Sequence, residues 1–106
     1  MDLVVLIYEQ SRSFPKEETY GLTNQMRRAA VSLPSNIAEG QGRHTTKDFL
    51  HMLFIARGSL MELQTQSEIA LRLHYLKSEA ADKIAQLCGS VGRLLNGLIN
   101  ALKRKL

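Results

Sequence analysis

One cysteine, two prolines, seven glycines and no tryptophan among 106 residues leave this chain little with which to cross-link or turn itself sharply. A single cysteine makes no internal disulfide, which excludes a stapled secreted scaffold. So few turn residues do not suit the tight turns of an all-β protein. The apolar run from Leu3 to Tyr8 is too short to cross a membrane. It also lacks the basic leader and small-residue cleavage site of a secretory signal, so a cytoplasmic location and no membrane partner are expected. At 44% hydrophobic and 23% charged residues, the chain is too apolar for a disordered polymer. What is left is a folded helical protein, one domain over residues 1–106, too small for a two-domain enzyme.

The net charge of +4 is modest, but its distribution is uneven. Met1 to Met26 and Gly58 to Asp82 each carry two basic and four acidic residues. Arg27 to Arg57 carries five basic and two acidic, and Lys83 to Leu106 carries five basic and none acidic. The cationic residues thus form two separate blocks, the pattern of a chain able to meet an anionic partner.

Hydrophobic periodicity predicts four helices. Phe49, Leu53, Ala56, Leu60, Leu63, Ser67, Ala70 and His74 alternate in steps of four and three, the seam of a helix packed along its neighbours at a shallow angle. Thr45, with Asp48 three residues on, marks its start near Thr46, and its end is expected near Leu73. Ile84, Leu87, Val91, Leu94, Leu98 and Leu102 mark a last helix from Ser78, with acids at its start and Lys103, Arg104 and Lys105 at its end, matching the helix dipole. Leu22, Met26, Ala29, Leu33, Ile37 and Gly40 mark a second helix, with Pro34 inside it and a left-handed stop expected at Gly40 and Gly42. Leu3 to Ser11 reads as a short first helix, because a lone strand would have no partner. Helices of this length require an elongated, antiparallel up-down four-helix bundle.

Two features exceed what a solitary bundle needs. Leu50, Phe54, Ile55, Met61, Ile69 and Leu73 put apolar side chains on several sides of the third helix beyond its seam, which predicts subunit contacts in a ring or dimer, with Phe54, Ile55, Met61 and Ile69 as contact residues. On the second helix Gln25, Arg28, Ser32, Asn36 and Glu39 form a polar stripe beside the seam. Its structural reading is a hydrogen-bonded ladder with Arg28 and Glu39 tied to backbone or neighbouring helices; its functional reading is a binding groove.

The same residues carry a family resemblance. The run Phe14-Pro15-Lys16-Glu17-Glu18-Thr19-Tyr20-Gly21-Leu22-Thr23, the block from Gln25 through Arg27-Arg28-Ala29 to Asn36-Ile37-Ala38-Glu39-Gly40, then Gly42-Arg43 and Ile55 to Leu63 resemble the 23S ribosomal RNA intervening-sequence proteins, also called S23 ribosomal proteins. The resemblance implies a left-handed up-down four-helix bundle, homopentamers in several members, and binding of RNA or DNA. It extends to the accessory protein of diversity-generating retroelements, whose basic pentamer binds nucleic acid and a reverse transcriptase. Family members usually begin several residues earlier, often with a tryptophan in a longer first helix, so the short first helix here is expected to weaken the bundle or to expose part of the third. Their retroelement relative is also more basic, although five copies of this chain would together carry +20.

For nucleic acid the candidates are Arg27, Arg43, Lys47 and Arg57 in the first block and Arg93, Lys103, Arg104 and Lys105 in the second. No zinc-finger spacing, aromatic recognition strand or helix-turn-helix accompanies them, so contact should run through phosphates with little sequence specificity. The other class of function is a protein-interaction scaffold or accessory subunit, for example for a reverse transcriptase. No catalytic residue, metal site or cofactor motif is found, and a non-enzymatic protein is expected. Asp48 and His51 are the nearest approach to the Glu-x-x-His of a di-iron bundle. His44 and His51 are expected at the surface, Cys88 in the core, and Gly40-Gln41-Gly42-Arg43 as a helix stop rather than a phosphate loop, because it follows a helix and not a strand.

Overall fold

The computed structural model describes residues 1–106 and contains helices and no strands. The helices are α1 (Asp2–Ser11), α2 (Leu22–Gln41), α3 (Thr46–Arg72) and α4 (Ser78–Lys103), with one 3-10 turn, Lys16–Glu18, between the first two. Each helix packs on its two neighbours in a closed square: α1 on α2 and α4, α3 on α2 and α4, with no close backbone approach across either diagonal. Neighbours run antiparallel. Ser32 of α2 meets Ser59 of α3, whereas Gly40 further along α2 meets Phe49, earlier in α3. Leu60 lies against Gly92, and Arg57, one turn before it in α3, reaches Asn96, one turn later in α4. The bundle is elongated, 46 × 24 × 18 Å, as the length of α3 requires.

One hydrophobic cluster of 19 buried residues runs through it, built from the seams of all four helices together with Phe14 and Leu76 from the connections. Ile7, Met26, Leu53, Leu63, Ile84, Leu95 and Ile99 are its fully buried large side chains. Phe14 plugs one end of the bundle, its ring 5.5 Å from that of Tyr75 in the turn between α3 and α4. Helix ends follow local chemistry. Thr45 caps α3 by accepting from the Asp48 amide at 3.1 Å, and α4 has Glu79 in its first turn and Lys103 in its last.

Four details differ from the sequence reading. α2 runs on through Pro34 and Gly40 to Gln41, and Gly42 follows with φ −85°, so no glycine stops it in the left-handed region. Gly40 is instead a contact residue: a Cβ there would lie 2.7 Å from Phe49 Cδ1 and 3.1 Å from Met52 Cβ, so α2 and α3 approach over its missing side chain. His74 is not the last seam residue of α3 but an exposed residue beyond it with φ 64°. It occupies the left-handed position of a Schellman turn, in which its own amide donates to Leu71 O and the Tyr75 amide donates to Ala70 O, at 3.0 and 2.9 Å. Leu94 is exposed and Leu95 takes its place in the core. At about 100° per residue, eleven positions return a side chain to the Ile84 face and ten leave it roughly 80° short.

Candidate nucleic-acid interface

The eight cations expected to meet nucleic acid do not share one face. The antiparallel order puts the first turn of α3 beside the last turn of α4, so Arg43, Lys47, Lys103, Arg104 and Lys105 gather at one end of the bundle. Arg57 lies two to three turns further in along α3. Arg27 and Arg93 are left out of this group. Arg27 is bound into the α1–α2 packing, donating to Ser11 Oγ at 2.9 Å and lying 4.7 Å from the centre of the Tyr8 ring. Arg93 turns back along its own helix to Ser90 Oγ at 3.3 Å.

Arg57 and Lys103, one from each basic block, converge on a single aromatic ring. The Arg57 guanidinium carbon is 5.0 Å from the centre of the Phe54 ring and the Lys103 ammonium 5.5 Å from it. Arg57 is positioned by Asn96, whose Oδ1 accepts from Nη1 at 3.1 Å. Phe54 is 37% exposed, so the ring keeps an open edge or face between two cations. The sequence placed Phe54 among the subunit contacts and did not connect it with the cations, because residues 54 and 103 meet only across the α3–α4 packing. Asn96 likewise has no sequence signal. Glu39 and Asp48 lie at this end of the bundle, and Glu39 is occupied by Arg43 in an (i, i+4) pair at 2.6 Å. The remaining cations there face solvent without an ion pair.

The expected contact residues Phe54, Ile55, Met61 and Ile69 all lie on the outside of α3, Met61 most openly at 62% exposure. Leu50, counted with the surplus, is buried within the chain itself. Leu94 on α4, Val31 on α2 and Val5 and Tyr8 on α1 add exposed apolar surface that the sequence reading confined to α3.

The polar stripe of α2 divides. Asn36 donates to Ser32 O and Oγ at 2.8 and 2.7 Å, and Ser32 Oγ lies 2.9 Å from Ser59 Oγ, so the central part is a ladder linking α2 to α3. Glu39 pairs with Arg43 at the end of its own helix, not with a neighbouring helix, and Arg28 makes no ion pair at all. Both are exposed, which removes the need for buried pairing. Gln25, Arg28 and Ser32 instead line an open groove of about 360 Å³ with Ser59, Glu62 and Gln66 of α3.

Nothing in the structure gathers three or more histidine, cysteine, aspartate or glutamate side chains at metal-binding distance. Cys88 is fully buried, and burial pushes its thiol up to about 11. A thiol held protonated in the core is a packing group and a poor nucleophile. No helix is long and apolar enough to cross a membrane.

The family model described as 23S rRNA-intervening sequence protein matches residues 1–97. A solved protein of unknown function from the S23 ribosomal protein family of Bacteroides thetaiotaomicron has the same fold, with a TM-score of 0.82 at 22% identity over 92% of this chain and 90% of that one. No curated protein matches the chain.

Proposed function

Because the chain belongs to the 23S rRNA-intervening sequence protein family, we propose that it is a non-enzymatic, oligomeric, cytoplasmic protein that binds RNA or DNA through phosphate contacts. The convergence of Arg57 and Lys103 on the half-exposed ring of Phe54 carries this reading. An aromatic face with flanking cations is the arrangement that holds a single strand, the ring stacking on a base of any identity and the cations meeting phosphates on either side. Lys47, Arg104 and Lys105 extend the positive field around that end of the bundle, and nothing there reads base edges, so specificity is low. Ile55, Met61 and Ile69 of α3 and Leu94 of α4, which lie outside the Phe54 site, support assembly, with the homopentamer that the resemblance implies for several members as the expected form. Assembly would repeat the basic end in a ring and raise affinity by multivalency.

Binding of a labelled single-stranded oligonucleotide, measured across a salt series, tests this. Affinity should fall log-linearly with salt, with a slope that becomes shallower by about one in Lys103→Ala. Phe54→Leu should weaken binding by roughly 1–3 kcal/mol with the slope unchanged, because it removes stacking and not charge. Absence of binding at low salt by an intact oligomer would overturn the reading. The exposed apolar surface also favours an accessory-subunit role; co-purification of a protein partner without nucleic acid would favour that alternative.

A further inference from the structure

The segment that carries the Phe-Pro-Lys-Glu-Glu-Thr-Tyr-Gly-Leu-Thr motif folds over the start of α2 and leaves a pocket of about 480 Å³ between them. Arg12, Lys16 and Arg27 line it, and no carboxylate does. Arg12 and Lys16 make no ion pair anywhere in the chain. Both lie outside the two basic blocks, in a stretch whose net charge is negative. The pocket wall also includes Thr23 and Asn24, the second and third residues of α2. At this helix start the Leu22 amide is satisfied by Glu18 Oε1 at 3.2 Å and the Gln25 amide by Gly21 O at 3.0 Å. The amides of Thr23 and Asn24 between them have no acceptor in the protein.

A second observation points to a ligand. Thr23 is only 8% exposed, lines this pocket, and its hydroxyl makes no hydrogen bond with any group of the chain. The hydroxyl oxygen is not sealed in the core but keeps contact with solvent, so it is open to a ligand. This hydroxyl without a partner in the chain, two free amides at the positive end of a helix of 20 residues, and three cations all border one cavity.

We infer that this pocket is a binding site for a phosphoryl group, the terminal dianion of a phosphomonoester. The donors and charge exceed what a carboxylate can use. Two backbone amides and the Thr23 hydroxyl supply three donors for three terminal oxygens, and the helix end with Arg12 and Lys16 balances a double negative charge. Arg27 is held in place by its bond to Ser11 Oγ at 2.9 Å and contributes a fixed positive charge at the inner wall. The site does not involve Phe54, Arg57 or Lys103, so it stands or falls independently of the proposed strand-binding face.

The test is amide chemical-shift titration of the full-length protein at low salt with inorganic phosphate, with a nucleoside monophosphate, and with chloride at matched ionic strength. Phosphate and the monophosphate should saturate shifts at Thr23 and Asn24 that chloride does not produce. Arg12→Ala with Lys16→Ala should weaken binding by about tenfold or more, and the near-isosteric Thr23→Val, which keeps the helix, by several-fold. No saturable shift with either phosphate, or equal affinity in the double variant and the parent, would overturn the site. An oligonucleotide with a 5′-phosphate that binds better than its 5′-hydroxyl counterpart identifies a strand end as the source. Equal binding of the two oligonucleotides, with the monophosphate still saturating, identifies a small phosphorylated molecule.

Discussion

Glu18 and Tyr75, 57 positions apart, are joined through the Glu18 carboxylate: its Oε2 accepts from the Tyr75 hydroxyl at 3.0 Å while its Oε1 accepts from the Leu22 amide at 3.2 Å. One side chain thereby caps α2, whose N-cap residue Gly21 has no side chain to offer, and ties the connection after α1 to the turn before α4. Glu18→Ala should lower stability by about 1–2 kcal/mol, the sum expected for a lost cap and a charge-assisted hydrogen bond. Tyr75→Phe, which keeps the ring contact with Phe14, should cost less. Equilibrium urea unfolding of the two variants measures both, and equal losses would show that the cap contributes nothing.

Stability should decline on the alkaline side for two identifiable reasons. The hydrogen bond to Glu18 raises the Tyr75 pKa above 10.0, and burial raises Cys88 from 9.0 to about 11. In both cases the folded state holds its proton more tightly than the unfolded one. Their contributions are therefore fully present below the unfolded values and are lost as pH rises through the folded ones. For Cys88 the window is pH 9 to about 11 and the loss of order 2–3 kcal/mol. Thermal melts between pH 8 and 11 should show Cys88→Ala with a lower starting stability but a flatter alkaline limb; a limb as steep as the parent's would contradict the assignment.

Gly40→Ala should destabilise the bundle by about 1–3 kcal/mol, because the new methyl meets a ring and a Cβ that belong to another helix. A smaller residue at Phe49 should recover much of the loss in the double variant. Additive losses in that cycle would mean that the two positions are not in contact.

His74→Gly should do the opposite. A histidine at φ 64° carries a backbone cost that glycine does not, and the exposed side chain makes no hydrogen bond or ion pair. A gain of about 0.5–1 kcal/mol is expected, seen as a higher melting temperature. No gain would mean that the imidazole makes a compensating contribution.

The helices, their order and most of their ends were legible in the sequence because they depend on local chemistry. Helical spacing of apolar side chains, the Thr45 hydroxyl three residues before Asp48 and the acid-to-base gradient along α4 each act within a few residues of themselves. Leu94 and His74 show where that reading stops. Both fit a pattern of threes and fours, but whether a side chain meets a neighbouring helix depends on accumulated rotation and on where the helix ends. Gly40 is visible as a glycine near a helix end, yet its role as a contact with Phe49 exists only once α2 and α3 lie antiparallel. The same holds for function. Two basic blocks can be counted from the sequence, but only the α3–α4 packing brings Arg57 and Lys103 to Phe54. Only the fold of residues 12–20 over α2 turns Arg12, Lys16 and Thr23 into a pocket. Periodicity and capping are short-range and written in the order of residues; charge convergence and cavities are long-range and are set by which helix faces pack.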